Sequence, residues 1–83
     1  MNIFRSKFEI VNNSYKNVKS DAIDIDFSKG KIRLSNFENI KNDAIDFSGS
    51  NAIVKNSKFD SVNDKVISVG ERSNIEIFEI NAK

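Results

Sequence analysis

Five aspartates, Asp21, Asp24, Asp26, Asp43 and Asp46, fall within one stretch of the chain, and Asp64 follows a little later. Carboxylates grouped in this way suit two kinds of chemistry. A pair about 5 Å apart can serve as nucleophile and acid/base at a glycosidic bond. A group of them can hold a hard cation such as Ca²⁺ through oxygen. The spacing narrows the question, because Asp-Ala-Ile-Asp occurs at 21–24 and again at 43–46, a step of 22 residues.

That step runs through the whole chain. Tyr15, Phe37 and Phe59 keep it, as do Val18, Ile40 and Val62, then Ala22, Ala44 and Val66, then Ile23, Ile45 and Ile67. Ile3, Ile25, Phe47 and Val69 make a column of four. Two more columns, Ile10/Ile32/Val54 and Asn12/Leu34/Asn56, are expected to continue to Ile75 and Ile77. Their last step is then 21, with one residue lost from a turn and Ile80 standing in for the aromatic. A fixed period of this length is the mark of stacked repeats. Within each copy the apolar residues alternate, as in Ile23/Ile25 and Ile45/Phe47, so the segments are strands with one buried face.

Hairpins would need turns such as Asn-Gly or Asp-Gly, and no such dipeptide occurs. Stacked coils need like residues above like, about 4.8 Å apart, which is what the columns supply. The fold class expected is therefore all-β: a right-handed, single-stranded parallel β-helix of about 3.5 coils of about 22 residues, one module over 1–83. Asn12 and Asn56 are expected to point inward and bond to backbone. One Gly per copy (Gly30, Gly49, Gly70) suggests a left-handed turn or a crowded backbone.

Composition sets further bounds. There is no Cys and no His, which removes disulfides, thiolate and imidazole chemistry. Thirteen Lys and Arg nearly balance twelve Asp and Glu, giving no reason to expect nucleic acid or an anionic membrane as partner. The basic residues Arg5, Lys7, Arg33, Lys55 and Lys58 read as interleaved with acids along the sequence. The first residues lack the apolar core of a secretory signal, so the chain is expected in the cytoplasm or as a segment of a larger exported or cell-surface protein.

A coil of about 22 residues, with an Ile-x-Ile strand and an Asn-Ser-x-Phe-x-x-Val segment at 56–62, resembles the right-handed parallel β-helix of the pectate-lyase-like superfamily. More narrowly, "DAIDIDFSKG", "NDAIDFSGS" and "DKVISVGERSNIEI" resemble repeats of bacterial surface or exported proteins, some carrying CotH-type kinase domains. The resemblance implies a carbohydrate as possible partner, with Asp43 and Asp46 as the catalytic pair, but the His that usually accompanies such aspartates is missing. It also implies calcium. Asp24 should stack over Asp46, like charges that close repel, and an ion held by Asp24, Asp43 and Asp46 would relieve them. Lys19, Lys29, Lys41 or Lys65 could do so instead.

So short a solenoid exposes its ends, and neither end carries a capping helix. Phe4, Phe8 and Phe78 lie outside the columns and are expected to cover an end or meet a partner. The function expected is a non-catalytic structural or interaction module. Its partners are other copies, in a homo-oligomer, or the coils of a parent protein. The rival is a carbohydrate-binding or carbohydrate-active fragment with its site at the aspartates.

Overall fold

A computed structural model describes all residues, 1–83. The chain contains no helix. It winds through three strands per coil. The first coil holds β1 (Asn2–Phe4), β2 (Lys7–Val11) and β3 (Ser14–Val18). The second holds β4 (Ile23–Asp26), β5 (Lys29–Arg33) and β6 (Asn36–Ile40). The third holds β7 (Ile45–Ser48), β8 (Asn51–Lys55) and β9 (Lys58–Val62), and the fourth β10 (Ile67–Val69), β11 (Asn74–Phe78) and β12 (Asn81–Ala82). Each strand pairs in parallel with its counterparts in the neighbouring coils. Three four-stranded sheets result: β1-β4-β7-β10 (sheet A), β2-β5-β8-β11 (sheet B) and β3-β6-β9-β12 (sheet C). The chain is a parallel β-solenoid of about four turns.

The register is that of the columns. Ile23 pairs with Ile45 and Ile25 with Phe47 in sheet A, Ile32 with Val54 in sheet B, and Phe37 with Phe59 in sheet C. These side chains are fully buried. Tyr15, Phe37 and Phe59 stack nearly parallel, with ring centroids 4.9 and 4.8 Å apart. Each fully buried Ile or Phe contributes about 1.5–3 kcal/mol, and each stacked ring pair about 0.5–1.5 kcal/mol beyond that.

Polar ladders tie the corners. Ser28 and Ser50 are buried, and each hydroxyl accepts the N–H of the matching residue one coil earlier: Ser6 to Ser28 and Ser28 to Ser50, both at 3.0 Å. The same hydroxyls donate to a carbonyl two residues back. Ser35 and Ser57 repeat the arrangement at a second corner. Buried polar groups must find partners, and here the repeat itself supplies them.

Several expectations are corrected. The last step in sheet B is 23, not 21: Ile77, not Ile75, pairs with Val54, and Ile75 lies on Ala52. One residue is gained at the Gly70–Glu71 turn rather than lost. Consequently Ile80 follows the Ser57 position, and Ala82 is the residue on Phe59. Asn12 and Asn56 do not point inward. With Leu34 they form an exposed corner at φ 58, 50 and 53, where the short amide side chain tolerates the left-handed backbone. Phe8 belongs to a column, because it pairs with Gly30 and its ring lies where a Gly30 Cβ would come within 2.7 Å of it. The glycines occupy different coil positions. Gly49 sits in a second left-handed corner, φ 58, below Phe27.

Leu34 is the misfit in its corner, bulky, half-exposed and held at positive φ between two coils that use Asn. Leu34→Asn is expected to stabilise the chain by about 1 kcal/mol, part of the cost of a left-handed residue. For a domain of this size that raises the thermal midpoint by roughly 4–8 °C. An unchanged or lower midpoint would show that Leu34 gains more from packing than its backbone loses.

Candidate functional site

The aspartates take two roles set by strand alternation. Asp21 and Asp43 stand just before the strands of sheet A. Asp21 Oδ1 accepts the Asp43 N–H, and Asp43 Oδ1 accepts the Lys65 N–H, both at 3.0 Å. They form the third corner ladder, and Asp43 is buried in doing so. Asp24, Asp26 and Asp46 alternate with buried Ile23, Ile25, Ile45 and Phe47, so they stand on the outer face of sheet A. Asp24 lies directly over Asp46 in the strand register.

Carboxylate oxygens of Asp21, Asp43 and Asp46 come within 4.8 Å of one another. The structure thus brings Asp43 and Asp46 together as expected, with Asp21 as their third member. Asp24 stands beside this group, above Asp46, and also lines a shallow hollow with Met1, Ser20 and Asn42. The Asp43–Asp46 approach falls near the separation of a retaining pair, but Asp43 is buried and turned to the Lys65 amide.

None of the expected lysines neutralises the group. The chain has one ion pair, Lys65 Nζ to Asp64 Oδ1 at 3.8 Å, between exposed neighbours, and Lys29 lies on sheet B. The electrostatic consequence is visible in both outer carboxyls. Asp46 is pushed above the ordinary value of 3.8 by partial burial first, then by Asp21, Asp24 and Asp43. Asp24 is raised by partial burial, then by Asp26 and Asp21, with the Met1 ammonium opposing.

Charge is sorted by face, contrary to the interleaving read along the sequence. The outer face of sheet A presents Asp24, Asp26 and Asp46 and no cation. The outer face of sheet B presents Lys7, Lys29, Lys31, Arg33 and Lys55 against Glu9 and Glu76, five positive against two negative. Lys7 stacks on Lys29 and Arg33 on Lys55. A linear reading missed this because residues two apart share a face while residues 22 apart stack.

No protein-family model, no curated protein and no solved structure matches the chain.

The carboxyl shifts carry a direction for stability. A folded-state value above the unfolded one means the folded chain holds the proton more tightly. Stability from Asp24 and Asp46 is therefore greatest at acid pH and falls as pH rises from about 4 through their raised values. Asp46→Asn is expected to raise the thermal midpoint at pH 7, with the gain over wild type shrinking below about pH 4. Melting curves across pH 3.5–7.5 test this; a midpoint lowered at neutral pH would mean the ionised carboxylate has a favourable partner.

Proposed function

We propose that the chain is a non-catalytic structural and interaction module that associates with a second copy through the open end of its last coil. The observation that carries this reading is the exposure of inward-facing residues there. Ile77 and Val69 continue columns that are fully buried at Val54 and Phe47, yet they are 43% and 50% exposed. Beside them run the unpaired outer edges of β10, β11 and β12. An apolar rim with free backbone donors and acceptors favours edge-to-edge pairing with another strand set.

The other end is better covered. Ile10 is buried, and Phe8 and Tyr15 are only part-exposed. Charge disfavours a head-to-tail stack in the same register. It would set Arg5 on Arg72, Glu9 on Glu76 and Lys16 on Lys83, each a like pair at about one coil spacing. A closed dimer joining two last coils about a two-fold axis avoids these contacts and does not polymerise. Kinship with the right-handed pectate-lyase-like helices of bacterial surface proteins belongs to the same proposal, supported by three parallel sheets and a coil of about 22 residues.

Light scattering over a concentration series is expected to find a species of twice the chain mass that persists in high salt. Ile77→Glu, which puts a charge on the rim, is expected to weaken it by about tenfold or more, equivalent to about 1.4 kcal/mol. Val69→Lys checks the same rim at a second point, with circular dichroism confirming the fold. A wild-type chain that stays single at all concentrations would overturn the reading.

A second reading rests on the Asp21–Asp43–Asp46 approach. Calcium takes six to eight oxygens, and these carboxylates keep free lone pairs beyond those given to backbone N–H groups. If calcium binds there, millimolar Ca²⁺ raises the wild-type thermal midpoint, whereas Asp21→Asn with Asp46→Asn loses the rise. Equal midpoints with calcium and with a chelator would dismiss it.

A further inference from the structure

The sorting of charge by face has a use beyond the ends. The geometry points to a lateral contact in which the basic outer face of sheet B docks against the acidic outer face of sheet A of a second copy. Each face carries an excess of one sign that no close ion pair relieves. None of Lys7, Lys29, Lys31, Arg33 and Lys55 has a carboxylate within ion-pair distance, and neither do Asp24, Asp26 and Asp46 have a cation. On each face, moreover, like charges are stacked: Arg33 over Lys55 on one, Asp24 over Asp46 on the other. Glu9 over Lys31 is the one opposite pair stacked within sheet B, so docking would set opposite charges where most stacked charges are alike.

The spacings match because one constraint sets both. Coil-to-coil pairing fixes rows about 4.8 Å apart on either face, and alternate residues of a strand are about 6.6 Å apart. Asp24 and Asp26 are one such alternate pair, and Lys29 and Lys31, or Lys31 and Arg33, are another. Two chains lying side by side therefore meet as two grids of the same mesh and opposite net sign. A foreign polyanion would need that mesh by coincidence, whereas a second copy has it by construction.

The contact is weak taken singly. Each face measures roughly 20 by 15 Å from its strand count and length, well below the roughly 800 Å² per partner of a standard interface. It is also heterologous, leaving a free basic face on one copy and a free acidic face on the other. Association through it continues beyond two chains and is screened by salt.

The test uses two charge-reversed variants, one with Lys31→Glu, Arg33→Glu and Lys55→Glu, the other with Asp24→Lys and Asp46→Lys. Each is made in the Ile77→Glu background, so that the ends do not contribute. In about 10 mM salt, where screening reaches about 30 Å, the parent's mean mass is expected to climb with concentration, and to fall back in about 1 M salt. Each reversed variant alone is expected to stay single, and an equimolar mixture of the two is expected to associate again. Neutral Asp24→Asn with Asp46→Asn, which spares the fold any new charge, is expected to abolish association as well. A parent that stays single in low salt, or a mixture that does not associate, would overturn the proposal. So would a parent that binds inorganic polyphosphate through sheet B yet never its own copies, which would give the basic face to a foreign polyanion.

Discussion

Parallel pairing between successive coils is the constraint on which everything else in this chain depends. Once β4 lies on β1 and β7 on β4, each residue of these strands faces its counterpart 22 positions away across the ladder. Apolar residues profit from that arrangement. Ile23 on Ile45, Ile32 on Val54 and Phe37 on Phe59 bury one another completely, and the flat rings of Tyr15, Phe37 and Phe59 stack at almost the coil spacing. Charged residues are harmed by it, because like stacks on like with equal regularity. The raised carboxyls of Asp24 and Asp46 are the same geometry that builds the core, acting on a different side chain.

The corners show how the backbone copes with turning three times per coil. Parallel strands use their N–H and C=O groups in the ladders, and several corner amides also reach a carbonyl of the next coil. Those of Ser28, Ser35 and Asp43 need another partner. Serine fills that role in two corners and aspartate in the third, each side chain reaching one coil along the stack. The buried Asp43 is therefore a backbone acceptor first, and any ion it holds must share its oxygens with the Lys65 amide. Asn17 and Asn39 join through their amides at 2.8 Å in left-handed bends inside β3 and β6. Polar residues that look like candidate chemistry in the sequence are in large part the fasteners of the coil.

How much of this was legible follows from what repeats. The apolar columns could be read because a slip of one residue would turn every Ile outward. A slip of two does not, so the sequence pattern admits a last step of 21 as readily as the actual 23. Ile75 and Ile77 both point inward in either register, so only Ser73 matching Ser50 betrays the extra residue at Gly70–Glu71. The corner of Asn12 and Asn56 is hidden in the sequence for a related reason. Leu34 made their column look like core, whereas all three occupy a left-handed corner whose backbone, not its burial, selects the residue. The Asp43–Asp46 approach was visible from strand alternation plus the repeat, but Asp21 as third member depends on how the corner folds. Charge sorting was hidden because sequence order mixes what the three sheets separate.

The last coil is where the repeat departs from itself, and the departures are uneven. Lys65 stands where the second and third coils have Asp21 and Asp43, so that ladder ends. Ile80 stands where Ser35 and Ser57 stood, offering Ser57 no hydroxyl. Yet Ile67, Val69, Ile75 and Ile77 keep the inward pattern intact. A coil shaped to end the stack in water would have turned those positions polar or covered them, as edges exposed to solvent commonly are. This coil gives up two of its three polar fasteners, keeping Ser73 on the Ser50 amide, and retains its apolar inner residues. Two of the three ladders therefore stop at this coil while the apolar columns run on to its open face. What sets this coil apart from the three before it is thus as much the loss of a side-chain acceptor at Lys65 and Ile80 as the exposure of Ile77.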